Sequence, residues 1–285
     1  MLNGVKKMDC RAVGTGIDKS FGPPLKEQID TIKKAGFECV FADWMKDEDM
    51  NDILNYAKNA GLEVIYLHAP FYGMDDLWHD DEGSLADKML NDLYGCADCC
   101  AENNIEAMVC HAVIGMDNHS PNALGIERIA KIVEYTKEKG VKIAFENTEG
   151  PEYLQMIFDN FGHYEHIGFC FDSGHEMCYN AGIDMLARHG KKLIVTHLND
   201  NMGQTEEEIT FHDDNHMLPF DGIGDWENIA ERMHKCGYTG PLSFELVKGN
   251  RPERNTNDRY VAMTFEEYIN EAYERADKFR KIFNK

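Results

Sequence analysis

Residues 167–179 read IGFCFDSGHEMCY, 193–201 read LIVTHLNDN, 212–226 read HDDNHMLPFDGIGDW and 241–246 read PLSFEL. Three of these pieces are short apolar, β-rich runs that close on oxygen or nitrogen ligands: Asp172 and His175, then His197, then Glu245. The third piece is a polar loop carrying Asp214 and His216. Ligands that recur where strands end predict one shared metal site at one end of a barrel.

Upstream the same rhythm repeats. Apolar runs at Cys10–Val13, Cys39–Ala42, Val64–Leu67, Ala107–Cys110 and Val141–Phe145 predict five strands, and Ile167–Phe171, Leu193–Thr196 and Leu242–Phe244 complete eight. Gly14, Thr15 and Gly16 read as a turn after the first strand. Helical periodicity falls between the runs, with Pro24 at one helix start, Ser84 as an N-cap, and Gly36, Gly61 and Gly140 as stops. Eight strand–helix units with near-continuous apolar strands predict a parallel α/β sheet closed into a single (β/α)8 TIM barrel. A doubly wound open sheet is the alternative, but no GxGxxG follows the first strand. No linker interrupts the pattern, so residues 1–285 read as one domain. Residues 198–225 lack periodicity and form a long loop placed over the site, with the acidic run Glu206–Glu208 as a solvated tip.

The chain has 285 residues, 43% of them hydrophobic, and a net charge of −22. That acidity opposes nucleic-acid phosphates and anionic membranes as partners. No run approaches a membrane span, and the N-terminus lacks an apolar signal core, so a cytoplasmic protein is expected. The nine cysteines are an odd number in largely apolar settings and read as reduced thiols. Cys96, Cys99 and Cys100 lie in a helical pattern without a second pair, which argues against a zinc knot there.

The ligand candidates in chain order are His68, His111, Glu146, Asp172, His175, His197, Asp214, His216 and Glu245. Glu146, Asp172, His197 and Glu245 end strands five to eight and so share one wall of the barrel mouth. Three carboxylates and one imidazole suit a divalent ion: manganese, magnesium, cobalt or zinc. His68, His111, His175, Asp214 and His216 remain for substrate or additional metals. Trp44, Phe71, Tyr72, Phe220 and Trp226 are aromatic candidates for lining a substrate pocket. Lys248 and Arg251 read as surface charge rather than a phosphate grip.

In order, the motifs LHAP at His68, CHAV at His111, FENT at Glu146, FDSGH at Asp172 and His175, THLND at His197, DNHMLPFDGIGDW at Asp214 and His216, and SFEL at Glu245 span nearly the whole chain. The chain resembles the xylose-isomerase-like sugar isomerases and epimerases, a TIM-barrel superfamily shared with endonuclease IV. The epimerase resemblance implies one divalent metal held by Glu146, Asp172, His197 and Glu245, with Glu146 and Glu245 doubling as acid and base. It implies a small sugar or sugar phosphate as substrate, a proton moved next to a carbonyl through an enediolate, and often a dimer or tetramer. The endonuclease branch implies three zinc ions on all nine positions and cleavage of abasic DNA. The stretch MLPFDGIGDW after His216 departs from that branch, and no basic DNA track is visible. A polyol or keto-inositol dehydratase begins with the same proton abstraction and stays open.

Overall fold

The computed structural model describes residues 11–79, 83–116, 120–205 and 209–285, so Cys10 and the run Glu206–Glu208 lie outside the described residues. Eight parallel strands form one sheet: β1 (Val13–Ile17), β2 (Cys39–Asp43), β3 (Glu63–His68), β4 (Ala107–His111), β5 (Lys142–Glu146), β6 (Ile167–Asp172), β7 (Leu193–His197) and β8 (Leu242–Phe244). Their order is β7-β6-β5-β4-β3-β2-β1-β8. The seam between β7 and β8 is bridged by Leu198 N donating to Ser243 O at 2.8 Å and Ser243 N donating to Thr196 Oγ1 at 3.1 Å. The fold is a single (β/α)8 TIM barrel.

Among the described residues ten α-helices lie between or after the strands: α1 (Leu25–Ala35), α2 (Met50–Asn59), α3 (Ser84–Glu102), α4 (Ala123–Lys139), α5 (Pro151–Phe161), α6 (Ser173–Cys178), α7 (Met185–His189), α8 (Trp226–Lys235), α9 (Asp258–Val261) and α10 (Phe265–Phe283). Each larger helix buries one apolar stripe on the sheet, as α1 does with Ile29 and Ile32 and α10 with Tyr268, Ile269, Ala272, Ala276 and Phe279. Such a side chain contributes about 1.5–3 kcal/mol on full burial. Among the described residues no helix is long and apolar enough to cross a membrane.

Two expectations are corrected. The first strand is Val13–Ile17 rather than Cys10–Val13, and Gly14 and Gly16 are inside it. A Cβ at Gly14 would lie 2.6 Å from Cys39 Sγ, and one at Gly16 would lie 2.9 Å from Phe41 Cζ. These glycines admit β2 side chains and make no turn. The N-cap of α3 is Gly83 rather than Ser84, in a left-handed conformation and without a side-chain cap. Between Asp172 and strand seven there are two helices, because Asp172 itself caps α6, accepting His175 N at 2.6 Å.

The interior of the barrel holds a small cluster of its own: Phe41, Tyr66, Ala107, Val109, Ala144, Cys170 and Val195. The larger core lies between the sheet and the helices. The eight described cysteines are free thiols, seven of them buried, including Cys96, Cys99 and Cys100.

Candidate metal centre

Five strands deliver their last residue to one place. His68, His111, Glu146, Asp172 and His197 end β3, β4, β5, β6 and β7, and Glu245 directly follows β8. In a parallel barrel every strand ends at the same mouth. His175 stands in the first turn of α6. Asp214 and His216 enter from the loop between β7 and α8, where His216 takes a left-handed φ of 45°. Backbone strain of that kind concentrates at functional sites.

The nine side chains form a connected cluster. His197 Nδ1 lies 2.9 Å from Glu146 Oε1 and 3.2 Å from Glu245 Oε2. Glu146 Oε2 lies 3.4 Å from both His68 Nε2 and His111 Nε2, and Glu146 Oε1 lies 3.4 Å from His175 Nδ1. Asp214 Oδ1 lies 3.2 Å from His175 Nε2 and 2.9 Å from His216 Nε2, and His216 Nδ1 lies 3.5 Å from Glu245 Oε2. Glu146, Asp172 and His197 are fully buried.

These spacings fit metal ligands. Donor atoms held about 2.1 Å from one ion stand about 3.0 Å apart in an octahedron and about 3.4 Å apart in a tetrahedron. Several separations exceed a good N–H···O bond. Glu146 Oε2, His111 Nδ1, His197 Nε2 and Asp214 Oδ1 are buried without a hydrogen-bond partner in the protein. Ligand atoms converge within 4.8 Å in the sets Glu146–Asp172–His197–Glu245, His68–His111–Glu146 and His175–Asp214–His216. The residues therefore fit a divalent cation.

The electrostatics are those of an anionic pocket facing imidazoles. Burial raises a carboxyl, yet His197 and the neighbouring histidines overcome it and hold Glu146 well below the usual range. Glu245 is lowered against burial by His197 and His216, and Asp214 by His216 and His175. Burial prevails at Asp172, which is pushed up to about 6 against the pull of His175 and His216. Burial opposes protonation of His68, His175, His197 and His216, but the facing carboxylates raise His68, His175 and His216, and Cys170 followed by Glu146 and Glu245 raises His197.

A supporting layer fixes the candidate ligands. Asn199 Nδ2 donates to Asp172 Oδ2 at 2.8 Å, and Asn147 exchanges two hydrogen bonds of 2.8 Å with the Asp172 backbone. His68 Nδ1 lies 2.8 Å from Ala69 O and His175 Nδ1 lies 3.0 Å from Asn147 O, which leaves each Nε2 facing a carboxylate. Arg251 Nη2 binds Asp214 Oδ2 at 3.0 Å. Asp200, fully buried, accepts Phe220 N and Gly224 N at 2.9 Å and Trp226 Nε1 at 3.0 Å. Sequence reasoning passed over Asn147, Asn199 and Asp200, although each follows a ligand by one to three positions in FENT and THLND.

The aromatic candidates separate. Phe71 stacks on His111 with centroids 4.8 Å apart, at the cluster. Trp44 packs over Gly95 of α3, on the outer side of the barrel. Phe220 packs between Trp226 and Lys278 Nζ, the latter 3.6 Å from its ring, beside α10. A cavity of about 320 Å³ at the start of the strands, beside Tyr66, Lys142 and Tyr238, contains none of the nine residues.

The family model described as xylose isomerase-like TIM barrel matches residues 29–263. The chain belongs to the xylose isomerase-like TIM barrel family. Among solved members of this fold, the IOLI protein, crystallised with a zinc atom bound, superposes with a TM-score of 0.73 at 18% identity, over 95% of this chain and 98% of that one. A D-psicose 3-epimerase with D-tagatose from Clostridium cellulolyticum H10 superposes with a TM-score of 0.70 at 14% identity, over 95% and 99%. At these identities the likeness concerns the fold. By sequence, the uncharacterized protein y4fM of Sinorhizobium fredii is 33% identical over 150 residues, 49% of this chain and 45% of that protein. The rhizopine catabolism protein MocC of Rhizobium meliloti is 28% identical over 134 residues, 41% and 40%. The chain thus spans under half the length of each of these two relatives.

Proposed function

We propose that this protein is a divalent-metal-dependent isomerase or epimerase of a small sugar, acting by proton transfer next to a carbonyl. The observation that carries the reading is the meeting of Glu146 and Glu245 at one atom, His197 Nδ1, from strands β5 and β8. Two carboxylates that approach one point from different strands serve a reaction in which a proton leaves one face of a carbon and returns to the other. Glu146, Asp172, His197 and Glu245 hold the cation in this reading. When bound, it polarises a carbonyl and its neighbouring hydroxyl.

Glu146 takes or returns the proton on one face of the substrate carbon and Glu245 acts on the other. Both carboxyls are held below their usual range and so are ionised, the form that can accept a proton. His175 hydrogen-bonds a substrate oxygen. Phe71 offers an apolar ring to the sugar face. An uncharged sugar is supported by the state of the nearby cations: Arg251 is bound to Asp214, Arg254 to Asp213, and Lys248 Nζ to Val261 O. The single domain and the 198–225 loop over the site belong to the same proposal.

The test is solvent-deuterium exchange into a panel of ketoses, with metal content measured in parallel. Glu146→Gln is expected to abolish exchange, a loss of about 10²–10⁴ or more, while the fold survives. An active variant would sink the assignment. A second reading, a three-zinc phosphodiesterase of abasic DNA, is favoured by the division of the nine residues into three convergent sets. The net charge of −22 opposes it. Tight zinc at three per chain with incision of an abasic duplex would establish that second reading.

A further inference from the structure

We propose that Cys170, together with Glu146 and His197, forms a thiol-bearing coordination set beneath the carboxylate-rich centre, which captures a thiophilic divalent cation and thereby excludes the cation used in the proposed function. This rests on that function's assignment of Glu146 and His197 as ligands. The placement follows from strand register. Cys170 of β6 is the Cα partner of Glu146 of β5. It lies two residues before Asp172, so the alternation of side chains along a strand puts it on the same inward side, one layer deeper. Its thiol belongs to the interior cluster with Phe41 and Tyr66.

Cys170 Sγ, a carboxylate oxygen of Glu146 and a ring nitrogen of His197 all lie within 4.8 Å of one another. A buried cysteine alone would mean nothing. Here the two neighbours are fully buried, and Glu146 Oε2 and His197 Nε2 each lack a hydrogen-bond partner in the protein. One sulfur, one nitrogen and one oxygen with a position left open match the preferences of zinc and cadmium, whereas magnesium and manganese favour oxygen-rich sets. The two sets share Glu146 and His197, so occupation of one competes with the other. Coordination replaces the S–H bond of Cys170 by a sulfur–metal bond and releases one proton to solvent, with no change of oxidation state.

The experiment titrates the metal-free full chain with cadmium chloride and reads the ultraviolet thiolate-to-cadmium absorption, with bound manganese followed by the spin resonance of the free ion. Wild type is compared with Cys170→Ser, Cys170→Ala and Cys110→Ser, the last removing a thiol of the outer core. Wild type and Cys110→Ser are expected to show the absorption and to lose manganese as cadmium binds. Both Cys170 variants are expected to lose the absorption and to resist displacement by roughly tenfold or more. Undiminished absorption in a Cys170 variant that still binds manganese would overturn the proposal and leave the centre standing. Cys170-dependent absorption in a protein that binds none of manganese, magnesium, cobalt and zinc at the carboxylate-rich centre would uphold the thiol set and overturn the function reading.

Discussion

Single residues decide how the centre is held. Gly174 is one: a Cβ there would lie 1.9 Å from Asn199 Oδ1, and Asn199 is the residue that steadies Asp172. Gly174→Ala should push Asn199 off Asp172 and lower divalent-metal affinity about 10–100-fold, measured by calorimetric titration. Overpacking should also cost about 1–3 kcal/mol in denaturant melts. His189 shows a different residue-scale effect. Its ring stacks on Phe158 at 4.7 Å, and burial, aided by Arg188, lowers it from 6.5 to about 4. The unfolded chain therefore binds this proton at a higher pH than the folded one does. Stability is present above pH 6.5 and falls as pH drops towards about 4, by up to ~3 kcal/mol. His189→Phe keeps the stack and removes the titration. Its melts should lose less between those pH values than wild type, and identical curves would refute the account.

At the scale of elements, the strand termini matter most. The apolar runs predicted strands β2 to β7 one residue short at their C-terminal ends, because the residue that closes each strand is polar and interrupts the apolar pattern. The ladder nonetheless includes that residue, since its backbone pairs whatever its side chain does: Asp43 pairs with His68, His111 with Glu146 and Asp172 with His197. The loop after β7 is fastened by Asp200, whose carboxylate also accepts Asn201 N at 2.9 Å. Asp200→Ala should strand those donors and cost about 3 kcal/mol. Residues 209–225 should then exchange their amide hydrogens faster, and the fragment bearing Asp214 and His216 should hold metal less tightly. Unchanged exchange in that loop would show that another contact fastens it.

For the whole molecule, nine ligand-type side chains on strands and loops far apart in sequence are brought to one mouth, and among the described residues no lysine or arginine pairs with them save Arg251 at Asp214. A cation bound only by the folded state must then stabilise the whole barrel. At a hundred times its dissociation constant the gain is about 2.7 kcal/mol, a rise in Tm of roughly 5–10 °C. Chelator should reverse the rise, and Glu146→Gln should diminish it. A melting temperature indifferent to manganese, cobalt and zinc alike would contradict a resident metal.

The sequence by itself determined the barrel and the nine ligand candidates, because a buried parallel strand must be apolar along its length and a ligand at its end breaks that run visibly. It did not reveal β1, whose glycines look like a turn until Cys39 and Phe41 are seen to need their space. Nor did it separate Phe71, which stacks at the cluster, from Trp44 and Phe220, which pack on outer helices, since aromatic type is the same in both settings. Only the tertiary structure decided how the ligand candidates group, that Asn147, Asn199 and Asp200 support them, and that Cys170 stands beside Glu146. Those facts depend on loop path and on register between strands, which pairs Glu146 with Cys170 24 positions away, and neither leaves a periodic trace along the chain.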